Sequence, residues 1–69
     1  MSDELQFQCD DGIALITLNR PQARNAITFE MYDRLAAHCQ QVAESDSLRA
    51  LIITGAGDKV FCSGADLLA

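Results

Sequence analysis

Two short apolar runs on either side of a sequence with helical period are the feature that most restricts the fold of this chain. Residues 13–18 and 48–54 are rich in β-branched and apolar side chains and too short for typical helices, whereas apolar residues between them recur at helical spacing. A strand, a helix and a second strand within this length form a βαβ unit with parallel strands and a right-handed crossover. We therefore expect an α/β fold.

A further strand precedes this unit. Residues 5–9 alternate apolar and polar side chains, which is the period of a half-buried strand, and we expect it at a sheet edge. Asp10-Asp11-Gly12 supplies turn chemistry, with Gly12 able to take a positive φ. The two runs therefore predict a β-hairpin, and Pro21 ends its second strand because proline cannot donate to the ladder.

The central helix is predicted to span roughly sixteen residues and to present one apolar face. Thr28 is the expected N-cap, and Glu30 in the first turn is favourable to the helix dipole. Ser45-Asp46-Ser47 is expected to end the helix. The expected apolar face consists of Met31, Tyr32, Leu35, Ala36, Cys39, Val42 and Ala43.

The run at residues 48–54 is continuous in its apolar character, which predicts a central strand covered on both faces. A glycine-rich turn at residues 55–58 and a brief extended segment at residues 60–62 follow. Asp66 is the predicted N-cap of a helix that begins at Leu67. Because the chain stops one turn into that helix, we expect residues 1–69 to be part of a larger domain.

Length and cysteine content exclude several classes of small protein. A chain of 69 residues buries only about 60% of the surface of its unfolded form. The three cysteines, Cys9, Cys39 and Cys62, are odd in number and far apart, which excludes a disulfide scaffold and a zinc finger. We expect all three to be buried, reduced thiols that act as small hydrophobic residues.

Charge and hydropathy restrict the partners. A net charge of −5 argues against nucleic acid, because phosphate contacts need clustered Lys and Arg. No apolar segment is long enough for a transmembrane helix, and the N-terminus has neither a basic nor an apolar leader region. We expect no membrane partner and a cytoplasmic location. Within this acidic chain, Arg20 and Arg24 form a local positive pair, which is either a candidate anion contact or part of a solvated loop.

Two motifs of the C-terminal part fail as familiar catalytic signatures. A dinucleotide-binding G-x-G-x-x-G sequence starting at Gly55 would need glycine at Val60, and an extended segment follows instead of a helix. A nucleophile elbow around Ser63 would need glycine at Phe61. His38, expected at the surface or at the boundary of the apolar helix face, has no evident route to Ser63.

Gly64-Ala65-Asp66 has a better physical use. Backbone N–H groups at the start of a helix have no partner within it and carry a positive partial charge, which suits an oxyanion or a thioester oxygen. Small residues at Gly64 and Ala65 would let a carbonyl approach the backbone. A structural turn that caps a helix would have the same sequence, so both interpretations stay open on spacing alone.

Four motifs, taken in order, carry a resemblance that covers the chain from about Gly12 to its end. They are Ile16-Thr17-Leu18-Asn19-Arg20-Pro21, Arg24-Asn25-Ala26, Ile53-Thr54-Gly55-Ala56-Gly57 and Phe61-Cys62-Ser63-Gly64-Ala65-Asp66-Leu67. Together they closely resemble the N-terminal part of the enoyl-CoA hydratase/isomerase (crotonase) superfamily. The resemblance implies the first part of a spiral of ββα units, made of the β-hairpin, the helix, the parallel strand and the start of the next helix.

The resemblance also implies a ligand and an assembly. A CoA thioester would be bound with its carbonyl in an oxyanion hole, to which Ala65 contributes its backbone N–H as the catalytic group. Arg24 would contact CoA phosphate, and Asp66 would be structural. CoA enters as part of the substrate, so no separate cofactor and no metal are expected, and the full-length form would be a homotrimer or hexamer. The implied substrate-binding residues are Arg24, Ala26, Gly64, Ala65, Asp66, Leu67 and Leu68.

The implied reaction is the hydration of a 2-enoyl-CoA in fatty acid metabolism. In the family, the second oxyanion donor and the catalytic glutamates lie beyond the position of Ala69, so we expect the 69-residue chain to be inactive alone. Other members catalyse isomerisation and further reactions with the same N-terminal half. One alternative is a non-catalytic module, either a truncated gene product or an interaction piece that docks on full-length subunits. A third possibility is an unrelated small α/β domain.

Overall fold

The computed structural model describes residues 4–58 and 61–65. Its elements follow the predicted order, from a hairpin through a helix to a third strand. The predicted start of a second helix, with Asp66, Leu67 and Leu68, lies outside the described residues. The elements are β1 (Leu5–Asp10), β2 (Ile13–Leu18), a 3-10 turn (Pro21–Ala23), α1 (Phe29–Glu44) and β3 (Ala50–Gly55).

The three strands form one sheet in the order β1-β2-β3. β1 pairs with β2 antiparallel, and the connecting residues Asp11 and Gly12 both have positive φ, at 52° and 80°. Two positive φ values in a two-residue loop match the twist of the flanking strands. β2 pairs with β3 parallel, with Ile13 opposite Ala50 and Leu18 opposite Gly55. The predicted hairpin, the edge position of β1 and the parallel pairing are confirmed.

α1 has the predicted length and the predicted cap. The Thr28 hydroxyl accepts a hydrogen bond from the Met31 backbone N–H at 3.1 Å, which satisfies one of the N–H groups that the first turn leaves unpaired. Glu30 lies in this first turn, and Ser45 ends the helix in an extended conformation. No helix in the described part of the chain is long and apolar enough to cross a membrane.

The core lies between α1 and one face of the sheet. Its fully buried members are Leu5, Ile16, Leu18 and Met31, with one residue from β1, two from β2 and one from the helix. His38 is half-buried at the boundary of this face, as predicted, and its ring stacks on Phe7 at a centroid distance of 4.1 Å.

The prediction that the third strand is central and covered on both faces is wrong for the described residues. β2 occupies the centre, and β3 is an outer strand that begins at Ala50. Ile52 and Ile53 keep 49% and 40% of their surface exposed. Opposite faces of a strand carry alternate side chains, so these neighbours expose apolar surface on both faces. The apolar run correctly predicted a strand, but the described residues supply only one helix to cover it.

The prediction of buried cysteines is wrong at two positions. Cys9 lies exposed near the hairpin turn of the edge strand, and Cys39 is exposed on α1. Cys62 is half-buried and packs against the core, in the role of a small hydrophobic residue. All three are free thiols. The helical period placed Cys39 on the apolar side, but the sheet covers only the narrower stripe that includes Met31 and Leu35.

Candidate functional site

Two loops at one end of the sheet lie side by side. The first, residues 19–27 between β2 and α1, is called the Arg24 loop, and the second is the 61–65 segment that follows β3. Ser63 donates its backbone N–H to the Arg24 carbonyl at 3.0 Å, and Ile27 donates to the Gly64 carbonyl at 2.9 Å. Ile27 and Ala65 form an isolated parallel bridge. The tertiary fold therefore brings the sequence-predicted residues Arg24 and Ala65 into adjacent segments.

The Arg24 loop reverses direction within a few residues. Pro21 opens its 3-10 turn, which suits proline because its φ is already set, and the Arg24 N–H closes the turn on the Pro21 carbonyl at 3.1 Å. Arg24 and Asn25 then both take left-handed conformations, with φ of 56° and 58°. This conformation is unfavourable for most L-residues, so contacts elsewhere in the fold must stabilise it.

The two arginines of the loop have different surroundings. Arg20 Nε lies 3.3 Å from Glu4 Oε2, and Arg20 Nη1 donates to the Ala26 carbonyl at 2.8 Å. Arg24 is exposed, and within residues 4–58 and 61–65 its guanidinium makes no ion pair or hydrogen bond. Among the described residues, the Arg24 charge thus has no partner, whereas the Arg20 charge is paired with Glu4. Ala26, another predicted binding residue, is half-buried, and its carbonyl accepts the hydrogen bond from Arg20.

The 61–65 segment exposes backbone at the predicted oxyanion position. Gly64 has a φ of 123°, which a side chain would disfavour, although no atom of the described residues beyond its chain neighbours lies within 4 Å of where its Cβ would stand. Ala65 is exposed, and its N–H donates to no acceptor in the described part of the chain. An exposed N–H group without an internal acceptor can donate to a ligand oxygen. Its catalytic use stays a prediction.

The close packing around Gly55, at the end of β3, explains why the Gly55-Ala56-Gly57 motif begins with glycine. A Cβ at this position would overlap the Phe61 carbonyl oxygen and would lie 2.7 Å from Asn25 Nδ2 and 2.9 Å from Phe61 Cα. The backbone of the 61–65 segment therefore passes directly over this residue. Gly55 therefore allows the end of β3 to pack closely against the 61–65 segment. This role is additional to the turn that the sequence predicted.

Asn25 is the residue of this site to which the sequence analysis gave no separate role. It is fully buried, and its side chain joins the Arg24 loop to the end of β3. The sequence did contain an indication of this role, because asparagine tolerates the left-handed conformation and Asn25 stands between two predicted site residues. Its tertiary partner, the Ala56 carbonyl, is 31 positions away and could not be read from local sequence.

The remaining predictions for this site fall on residues that the structure does not describe. Asp66, Leu67 and Leu68 lie outside the described residues, so their proposed roles in binding stay predictions. Among residues 4–58 and 61–65, no group of three or more His, Cys, Asp or Glu side chains is arranged to hold a metal ion.

Comparison with known sequences identifies the family. The model of the enoyl-CoA hydratase/isomerase family matches residues 13–69. The chain belongs to the enoyl-CoA hydratase/isomerase family. It is 46% identical over 68 residues to YngF of Bacillus subtilis, named for this family, and 45% identical over 67 residues to EchA14 of Mycobacterium tuberculosis, named as an enoyl-CoA hydratase. Each alignment covers 97% of this chain and 26% of the relative, so the chain spans about a quarter of their length.

Solved structures of the family share the fold. The crystal structure of an enoyl-CoA hydratase from Mycobacterium tuberculosis H37Rv superposes with a TM-score of 0.87 at 40% identity. This superposition covers 94% of the chain and 29% of that hydratase. The small α/β unit is therefore the N-terminal part of a crotonase fold, as the resemblance of its motifs predicted.

Proposed function

We propose that this chain supplies the CoA-phosphate contact and one oxyanion donor of an enzyme that hydrates 2-enoyl-CoA thioesters. The observation that carries the proposal is the pairing of the Arg24 loop with the 61–65 segment, which brings an available cation and an exposed N–H group to the same end of the sheet. The two groups match the two ends of an acyl-CoA, whose phosphates are anionic and whose thioester carbonyl accepts hydrogen bonds.

The chemical requirement of the reaction supports these roles. When the oxygen of water adds to C3 of the enoyl group, water gives one proton to a carboxylate base and the electron pair of the double bond moves toward the thioester. An enolate-like oxygen develops before C2 takes up a proton from a carboxylic acid. A preorganised backbone donor stabilises this negative charge more than it stabilises the ground-state carbonyl, and so lowers the barrier. In this proposal, the Ala65 N–H is one such donor, and Arg24 retains the substrate through a charge-assisted contact with phosphate.

Further groups must complete the reaction. Proton transfer requires carboxylates within hydrogen-bond reach of the substrate, and enolate stabilisation requires a second donor. The family resemblance implies that these groups follow the position of Ala69, and the chain spans about a quarter of the relatives' length. A cytoplasmic location and a homotrimeric or hexameric assembly are likewise predictions from the sequence and the resemblance.

A chimera tests the proposal. In this chimera, the chain replaces the matching segment of the M. tuberculosis hydratase, which covers 94% of the chain at a TM-score of 0.87. We expect the chimera to hydrate a short 2-enoyl-CoA, followed as loss of enoyl-thioester absorbance, and the isolated 69-residue chain to be inactive. The unmodified hydratase is the positive control. A folded chimera that neither binds nor hydrates the thioester would contradict the proposed function, and turnover by the isolated chain would show that its own groups suffice.

Replacing Arg24 with alanine in the chimera tests the phosphate contact. A charge-assisted hydrogen bond contributes about 1.5–3 kcal/mol, so the exposed Arg24 is expected to change KM by roughly tenfold, with kcat nearly unchanged. The matched control is Arg49→Ala, which removes an equal charge from an exposed residue beside the hairpin turn at Gly12. Equal KM values for the two variants would exclude Arg24 as the CoA contact.

The exposed apolar side chains support a second candidate function, that of a module that docks on full-length subunits. Ile13 and Ile52 keep 40% and 49% of their surface exposed, and together with Leu15 they line one open, largely apolar pocket on the sheet. Exposed apolar surface of this kind commonly forms interfaces. Size-exclusion chromatography of the chain mixed with the M. tuberculosis hydratase tests this function, and separate elution of the two proteins would exclude it.

A further inference from the structure

We propose that Asn25 is a positioning residue that holds the Ala65 N–H at a fixed distance from Arg24, so that one acyl-CoA molecule can reach both. The inference rests on the proposed function and adds to it the residue that sets the geometry between the two contacts. Asn25 itself is fully buried, so it acts through its neighbours and not by touching the substrate.

Both ends of the Asn25 amide are engaged. Oδ1 accepts a hydrogen bond from the Arg20 backbone N–H at 2.9 Å, and Nδ2 donates to the Ala56 carbonyl at 2.9 Å. Exchanging the amide oxygen and nitrogen would place a donor against a donor and an acceptor against an acceptor, so the orientation of the side chain is fixed. The first bond closes the Arg24 loop on itself, and the second ties this loop to the turn after β3.

The backbone of Asn25 adds a second constraint. Its φ of 58° lies in the left-handed region, which asparagine and glycine adopt more readily than other residues. The Asn25 N–H donates to the Arg20 carbonyl at 2.8 Å, so the same residue fixes the loop through backbone and side chain. A replacement must therefore keep the left-handed conformation if the effect of the side chain is to be measured alone.

The 61–65 segment is attached on both sides of Asn25. The preceding residue, Arg24, accepts from the Ser63 N–H, and Ile27, two positions after Asn25, donates to the Gly64 carbonyl. The amide nitrogen of Asn25 also lies against the backbone at Gly55, over which Phe61 passes. Movement of Asn25 would shift both hydrogen bonds that hold the segment, and with them the Ala65 N–H.

Asn25→Gly in the chimera is the principal test, because glycine keeps the left-handed backbone and removes both side-chain hydrogen bonds. A displacement of about 1 Å at a reacting group can cost roughly 100-fold in rate, so we expect kcat to fall by about 30- to 100-fold. Asn25→Asp keeps the acceptor for Arg20 but places a buried carboxylate oxygen against the Ala56 carbonyl, so we expect a loss at least as large as that of Asn25→Gly. The affinity for CoA lacking an acyl group, measured by calorimetry, is expected to change by less than about threefold because the Arg24 guanidinium is retained.

A spectroscopic measurement separates positioning from a loss of stability. The infrared frequency of the bound thioester carbonyl reports the hydrogen bonds that it accepts. We expect it to move in Asn25→Gly toward the value of the free thioester. The control is Leu35→Ala, which removes packing next to the core and lowers stability but removes no hydrogen bond of the two loops. At a temperature where both variants are folded, we expect the control to keep the parent's carbonyl frequency and kcat.

The outcomes separate this inference from the proposed function. A parent chimera that binds no thioester would overturn the proposed function and, with it, the positioning role. An active parent whose Asn25→Gly variant keeps the kcat and the carbonyl frequency of the Leu35→Ala control would overturn the positioning role alone. A second chimera built on YngF, which covers 97% of the chain, provides the same measurements if the first variant does not fold.

Discussion

Gly55→Ala is expected to lower the free energy of unfolding of the chimera by about 3 kcal/mol, at the upper end of the usual cost of overpacking. The added methyl carbon would overlap the Phe61 backbone and would lie 2.7 Å from Asn25 Nδ2. The Phe61 backbone cannot rotate out of the way as a side chain can. Relief of the overlap requires the 61–65 segment to move, so kcat/KM should fall together with stability. Urea denaturation and hydration kinetics measure the two effects.

Thr54→Ala is the matched control for this variant. Thr54 is the preceding residue of β3 and is exposed, so its truncation is expected to change stability by less than about 0.5 kcal/mol. A Gly55→Ala variant as stable and as active as Thr54→Ala would contradict the close approach of the two backbones. It would also remove the physical reason for glycine at the end of this strand.

Ala65→Pro is expected to lower kcat of the chimera by about 10²- to 10³-fold, the usual cost of losing one oxyanion donor. Proline deletes the backbone N–H of residue 65, which donates to no acceptor among the described residues. The hydrogen bond from Ile27 to the Gly64 carbonyl does not use this N–H group and can be retained. Affinity for CoA lacking an acyl group should stay close to that of the parent because Arg24 is unchanged. Stopped-flow hydration and calorimetry provide the two measurements.

Ala65→Gly is the control for the proline variant, because it also changes the side chain but retains the N–H group. We expect its kcat to stay within about threefold of the parent, since a donor in nearly the same place still stabilises the developing charge. Similar kcat values for the proline and glycine variants, with both proteins folded, would show that the Ala65 N–H is not an oxyanion donor.

Local sequence predicted the elements of the fold well. The hairpin turn with positive φ at Gly12, the Thr28 cap and the end of α1 at Ser45 depend on neighbours within a few positions, and each was confirmed. The parallel pairing of β2 with β3 followed from the order of strand, helix and strand. The order of the four motifs was sufficient to identify the family, which the comparisons confirmed.

Predictions that depended on burial were less successful. The apolar character of residues 48–54 correctly indicated a strand but did not indicate which elements cover it. Ile52 and Ile53 were expected to be covered and are exposed. Cys39 has helical spacing with buried residues and is nevertheless exposed, because the width of the covered stripe is set by the surface against which the helix packs. Composition and period contain no information about that surface.

The sequence by itself determined the strands, the helix, its cap and the family, because turn chemistry, period and motif order are properties of neighbouring residues. The tertiary structure alone decided that the Arg24 loop lies against the 61–65 segment and that Asn25 joins this loop to the end of β3. The physical reason is that these contacts are largely hydrogen bonds to backbone groups. Every residue has a backbone carbonyl, so residue identity does not specify which one a distant partner will meet.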